Sequence, residues 1–153
     1  MEFSFRRVDF KSSTEIRFIA ENDAAIPSAH DSDFPFDEQA IQDRIDYYLN
    51  KITSDDFFDV AVDSSNQVIG FHVIKRIPYM RGLFAGAVNT LWVAPAFRGR
   101  GVGRAFKVRG EEWARASGLD HLHTWIHAKN ETSLLVNEKL GYEVVNVKLM
   151  KKL

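Results

Sequence analysis

The residues Arg98-Gly99-Arg100-Gly101-Val102-Gly103-Arg104 set three glycines among three arginines, directly after Leu91-Trp92-Val93-Ala94-Pro95-Ala96-Phe97. Glycine permits positive φ and lets a ligand come close to the backbone. Where a strand enters such a turn and a helix leaves it, the first helical amides have no carbonyl partner and point at whatever sits there. The helix dipole adds to this, so the spot favours an anion such as a pyrophosphate, and the arginines offer charge to further phosphate oxygens. Two familiar phosphate turns do not fit the residues. The Gly-Lys-Ser/Thr ending of a nucleotide P-loop is missing, and so is the later third glycine of a dinucleotide fold. The alternative for the glycines alone is a tight strand–helix corner with no ligand.

The elements that must hold this turn are legible from periodicity. Phe3, Phe5 and Arg7 alternate with Ser4 and Arg6 as in a short strand, and Ser12-Ser13-Thr14-Glu15 offers a capping box for a helix through Glu21. Residues 27–38 are rich in Pro, Asp and Ser and read as an ordered loop pinned by Phe34 and Phe36. Asp37 can cap a second helix whose stripe is Ile41, Ile45, Tyr48, Leu49 and Ile52. Phe57 to Asp63 and Val68 to Ile77 read as an antiparallel hairpin, and Ala87 to Val93 as a further strand. A helix from Val102 to Ser117, stopped by Gly118, should bury Val102, Phe106, Gly110 and Trp113. His121 to His127 alternates as a strand, Asn130 to Leu140 reads as a helix closed by Gly141, and Tyr142 to Leu153 as a last β stretch. The order predicts one α/β domain over residues 1–153, a mixed, mostly antiparallel sheet of six to seven strands flanked by about four helices.

These residues resemble the GNAT acetyltransferase superfamily, whose acetyl-CoA motif is Arg/Gln-x-x-Gly-x-Gly/Ala between the fourth strand and the third helix. Arg98, Gly101 and Gly103 match it. Leu91-x-Val93-x-Pro95 is similar to the family's strand end, and Asn130-x-x-Ser133 with Lys139-x-Gly141-Tyr142 to its second cofactor segment. The resemblance implies that Leu91, Trp92 and Val93 line the pantetheine arm. It implies that Arg98, Gly99, Arg100, Gly101, Val102, Gly103 and Arg104 hold the phosphates, and that Asn130 and Ser133 meet the cofactor from the last helix. Asn130 fits an ordinary helix cap equally well.

The reaction the resemblance implies is acetyl transfer from acetyl-CoA by direct attack of a neutral primary amine on the thioester. Backbone amides of the fourth strand stabilise the tetrahedral oxyanion. An amine with an ordinary pKa near ~10 must first lose a proton. The sequence departs from the family where many members carry a tyrosine that protonates the thiolate: this position is Asn137. The fourth strand also lacks a glutamate base. Histidine titrates in the working range, so His127 is the first candidate base, with His72 behind it. Asp31, Asp33 and Phe34 in the loop between the first two helices, and Tyr79, are candidate contacts to the acceptor. His121 and His123 alternate on one strand without an acidic or cysteine partner nearby, and no metal is expected.

The acceptor class expected is a small amine. The alternatives are a peptide or protein N-terminus, or a non-catalytic acyl-CoA-binding module. Composition excludes other classes. With 20 basic and 21 acidic residues, no whole-molecule field attracts nucleic acid or an anionic membrane. The absence of cysteine closes a covalent acyl-cysteine route and thiolate metal sites. The start of the chain lacks the apolar core of a signal peptide, and no run approaches the roughly 20 apolar residues of a membrane helix. A cytoplasmic protein is expected, with a homodimer through the exposed sheet edge as an open partner state.

Overall fold

Strand pairing follows chain order in the computed structural model, which describes residues 2–153 and leaves Met1 of the expected 1–153 domain outside them. The strands are β1 (Phe3–Arg7), β2 (Phe57–Asp63), β3 (Val68–Pro78), β4 (Phe84–Val93) and β5 (Leu122–Thr124). The first three pairings are antiparallel and the β4–β5 pairing is parallel. The α-helices among the described residues are α1 (Ser13–Ser28), α2 (Glu38–Lys51), α3 (Val102–Ala116) and α4 (Glu131–Lys139).

Local chemistry explains these boundaries. Ser12 caps α1 by accepting from the Glu15 amide at 3.2 Å, and Asp37 caps α2 by accepting from the Ala40 amide at 2.8 Å. Only half of the expected capping box forms. Glu15 instead pairs with Arg6 at 2.6 Å and accepts from the Asp9 amide at 2.9 Å, tying α1 to β1. Helices α1 and α2 cover one face of the sheet, with Ile16, Ile19 and Tyr48 against Phe58, Val60 and Phe71. Helix α3 covers the other, with Val102 and Phe106 against Ala61 and Ile69, and with Trp113 packed onto Phe57, Ile74 and Val88.

Several expectations need correction. The sheet has five strands, not six to seven. The stretch from Tyr142 onward forms none, and Val144, Val145, Val147, Leu149 and Met150 are exposed. A strand exists only through a neighbour's hydrogen bonds, and β5 is three residues long, so little edge is offered to pair with. For the same reason His127 does not end a strand, because β5 stops at Thr124. Helix α1 runs seven residues past Glu21, to Ser28; Pro27 falls in its last turn, where few further amide bonds remain to lose. Leu49 is exposed, outside the α2 stripe, and Phe34 and Phe36 are exposed rather than pinning their loop.

His72 is not available as a base. It lies fully buried on β3 between the Phe57 and Phe106 rings, its Nδ1 2.9 Å from the Thr90 carbonyl. A carbonyl only accepts, so Nδ1 carries a proton, and burial favours the neutral ring. Burial pushes its pKa down to about 3, against which the Thr90 bond works. A folded value below the unfolded 6.5 means the contribution is complete above about pH 6.5 and is lost as pH falls toward 3. Between pH 7 and pH 5 this group alone should remove about 2 kcal/mol of stability, at about 1.4 kcal/mol per unit below 6.5. Urea unfolding across that range should show the slope, and a His72→Gln variant should flatten it. A slope unchanged in the variant would exclude His72 as its source.

Candidate active site

Strand β4 does not run straight. Val73 pairs with Thr90 and Ile74 with Val88, so Asn89 is an extra residue, a β-bulge. Two elements hold the bulge from below. Asn89 donates through Nδ2 to the Tyr47 hydroxyl of α2, while Thr90 Oγ1 donates to Asp23 Oδ1 of α1 at 2.6 Å. The other Asp23 oxygen accepts from the Tyr48 hydroxyl at 2.6 Å, and Arg44 Nε stands 3.0 Å away as an ion pair off the hydrogen-bond axis. Burial, then the Asp23 charge, pushes the Tyr48 phenol well up, so it stays protonated and keeps donating. None of these six residues carries a motif; only the pairing register and the helix docking bring them together.

The bulge coincides with a parting of strands. Strand β5 pairs with β4 only at Gly86, Ala87 and Val88, so the Asn89–Val93 edge has no strand beside it. Chain 125–130 leaves β5 at Thr124, where the pairing with Val88 ends, and enters α4. Leu91 and Val93 turn their side chains toward α3, and Trp92 turns to the opposite face, stacked on Phe71 with centroids 5.3 Å apart.

At the end of this open edge sits the glycine turn. A short 3-10 turn, Pro95–Phe97, follows β4, and Arg98 Nε folds back to donate to the Val93 carbonyl at 2.9 Å. Gly99 has φ +72 and Gly101 φ +86, the left-handed region that costs other residues roughly 1–2 kcal/mol. Gly101 caps α3, whose first internal bond runs from the Ala105 amide to the Gly101 carbonyl at 2.9 Å. The amides of Val102, Gly103 and Arg104 therefore have no helical acceptor. Nothing lies within 4 Å of where a Cβ would stand at Gly99 or Gly101, and Arg98, Arg100 and Arg104 are exposed around the turn. Open backbone, free amides and cationic side chains fit a diphosphate, and the adjoining unpaired edge fits an extended amide-bearing chain.

Helix α4 is tied to α3 by a side-chain bond between Lys107 and Asn137. Asn130 is its N-cap, accepting from the Ser133 amide at 3.2 Å, so the cap reading holds for its Oδ1. Asn137 is buried. Its Nδ2 donates to the Ser133 carbonyl at 2.8 Å, and its Oδ1 accepts from Lys107 Nζ of α3 at 2.9 Å. Its amide is thus committed within the protein.

The other candidates do not all converge. His127 is exposed and stacks on His30 of the loop after α1, centroids 6.0 Å apart, which joins that loop to the 125–130 segment. In the same loop Asp31 accepts from the Asp33 amide at 3.0 Å, and Asp33 pairs with Lys152 at 2.7 Å. Tyr79 lies elsewhere. It packs on His121 and His123 at the Phe84 end of β4, about 30 Å of strand from Val93 at roughly 3.3 Å per residue. Among the described residues, no group of three or more His, Asp or Glu side chains converges to hold a metal, and no helix is long and apolar enough to cross a membrane.

Comparison with known proteins agrees with this geometry. A profile of the Acetyltransferase (GNAT) family matches residues 21–142. The mycothiol acetyltransferase of Renibacterium salmoninarum is 29% identical over 100 residues, covering 61% of this chain and 30% of that protein. The mycothiol acetyltransferase of Paenarthrobacter aurescens is 31% identical over 111 residues, covering 69% and 34%. The chain thus spans about a third of the length of these relatives. A solved structure of AAC(6′)-Iy, in complex with the bisubstrate analogue CoA-S-monomethyl-acetylneamine, superposes with a TM-score of 0.69 at 17% identity, covering 99% of this chain and 98% of that one. With most of its length inside the family profile, the chain belongs to the GNAT acetyltransferases, a family that uses acetyl-CoA.

Proposed function

We propose that this chain transfers an acetyl group from acetyl-CoA to the primary amine of a small molecule. The observation that carries the reading is the unpaired Asn89–Val93 edge running into the open glycine turn at Gly99–Gly101. In this reading the free amides of Val102, Gly103 and Arg104, with Arg98, Arg100 and Arg104, hold the diphosphate. Backbone groups of Leu91, Trp92 and Val93 hold the pantetheine arm, and Asn130 and Ser133 meet it from α4. Bound acetyl-CoA supplies an activated acyl group; the chain's own contribution is to hold it still, exclude water from the opening and take a proton from the acceptor.

The acceptor side is the bulge and its surroundings: Asn89 and Tyr47, the loop with Asp31, Asp33 and Phe34, and the His30–His127 pair. Relatives named for mycothiol, and one solved with a neamine-derived analogue, favour a small polar amine over a protein terminus. Tyr79, at the Phe84 end of β4, roughly 17 Å of strand from the Asn89 bulge, is read as packing on His121 and His123. His127 is the proton acceptor in this scheme. His127→Ala should lower kcat/KM about 100-fold and flatten the acidic limb of its pH profile. An unchanged profile would remove His127 from the role.

One observation favours a non-catalytic acyl-CoA-binding module instead: the amide of Asn137 is spent on Ser133 and Lys107 and offers no acid. Thiol release from acetyl-CoA, screened against amines, amino sugars, polyamines, amino acids and peptides, separates the readings. Release with small amines supports the enzyme. Tight acetyl-CoA binding with no release across the panel supports the module.

A further inference from the structure

Lys107 lies one turn after Gly103 on α3, and Gly103 faces Leu91 and Val93, its Cβ position 3.8 and 3.9 Å from their side chains. Residues four apart share a helix face, so Lys107 stands on the side of α3 turned to the unpaired half of β4. From there its Nζ reaches across to α4, donating to Asn137 Oδ1 at 2.9 Å and standing 4.9 Å from the centre of the Tyr142 ring. The ammonium is thus wedged between α3 and α4 beside the opening. Among the described residues no carboxylate lies within ion-pair distance of it. Its neighbours are a neutral amide, a phenol and, on β3, the neutral His72. Burial holds the Lys107 pKa below its ordinary value, with Glu111 one turn on working against this. Burial, then Glu111, pushes the Tyr142 phenol up to about 12, so it supplies no anion either. A desolvated cation whose contacts are neutral and whose nearest carboxylate, Glu111, stands beyond ion-pair distance can take up an anion.

We propose that the Lys107 ammonium takes up the negative charge of the coenzyme A sulfur when the acetyl group leaves it. The inference rests on the acetyl-CoA reading above. In the transfer a new N–C bond forms as the C–S bond breaks, the electron pair of the latter stays on sulfur, and the acceptor's proton passes to His127 as in the scheme above. No acid is then required at Asn137. Its part is to position Lys107 by accepting one of the three ammonium hydrogens, leaving two for the sulfur. A fixed charge in a partly dry site stabilises a thiolate more than water does.

The test is the ionisation of the thiol of bound coenzyme A, followed by ultraviolet thiolate absorbance in the full-length chain, with desulfo-coenzyme A as the binding control. In the wild type the bound thiol should ionise at least tenfold more readily than free thiol, whose ordinary pKa is ~8.5. Lys107→Gln keeps a donor to Asn137 without the charge and should abolish that shift, with desulfo-coenzyme A affinity held within about threefold. Lys107→Arg should restore it. If Lys107→Gln does not fold, Lys107→Met read in the same way serves in its place. A thiol that ionises alike in wild type and uncharged variant overturns this proposal and leaves the acetyl-CoA reading standing. Failure of the wild type to bind desulfo-coenzyme A overturns both.

Discussion

Replacing Gly101 with glutamate is expected to weaken acetyl-CoA binding about a thousandfold while the protein stays folded. Two effects add. Gly101 has φ +86, which a side chain tolerates at a cost of roughly 1–2 kcal/mol, and its surroundings are open, so the substitution strains but does not clash. The new carboxylate would then stand where free amides and arginines favour a diphosphate. Like charges about 4 Å apart near a protein surface repel by ~4 kcal/mol, which is a factor of about a thousand in affinity. Titration calorimetry with acetyl-CoA, beside circular dichroism for the fold, measures both parts. Gly101→Asn isolates the strain, because asparagine enters the left-handed region readily, and it should keep affinity within about tenfold. If glutamate binds acetyl-CoA as the wild type does, the diphosphate is held elsewhere.

Asp23→Ala is expected to cost about 4 kcal/mol of stability, a large part of the 5–15 kcal/mol typical of a domain. The carboxylate accepts from Tyr48 and Thr90, both at 2.6 Å, and is itself buried. Its removal leaves two buried hydroxyls without an acceptor, at about 1–3 kcal/mol each, and adds a small cavity. The share from Arg44 is small, since that side chain is 40% exposed and water screens the pair. The damage should reach the site, because Thr90 adjoins the Asn89 bulge. A folded Asp23→Asn variant should lose acceptor-dependent turnover more than acetyl-CoA affinity. Urea denaturation measures the stability, and a loss under about 1 kcal/mol would contradict the account.

Local chemistry was legible wherever one segment decides its own conformation. The caps at Ser12 and Asp37 and the glycine turn all form as their residues imply, since each depends on bonds within a few positions. What could not be read is what arises between segments. The bulge at Asn89 is a property of register, visible only once β3 and β4 are aligned. The Asp23–Tyr48–Thr90 network joins positions 25 and 67 residues apart, and the Lys107–Asn137 contact joins two helices. The signal available for Lys107 was its place four residues after Gly103 in a helix read as amphipathic. The chain after Tyr142 shows the opposite failure. Its valines fit a pleated surface, but β-propensity reports fitness for a partner, and here no partner edge is long enough.

The amides of Val102, Gly103 and Arg104 and the unpaired edge of β4 together hold acetyl-CoA in this reading. A crystal structure of the chain with coenzyme A tests it most directly. Diphosphate oxygens are expected within hydrogen-bond reach of those amides, with the pantetheine arm along the unpaired Asn89–Val93 edge. A diphosphate bound away from the turn, or an arm lying away from that edge, would contradict it.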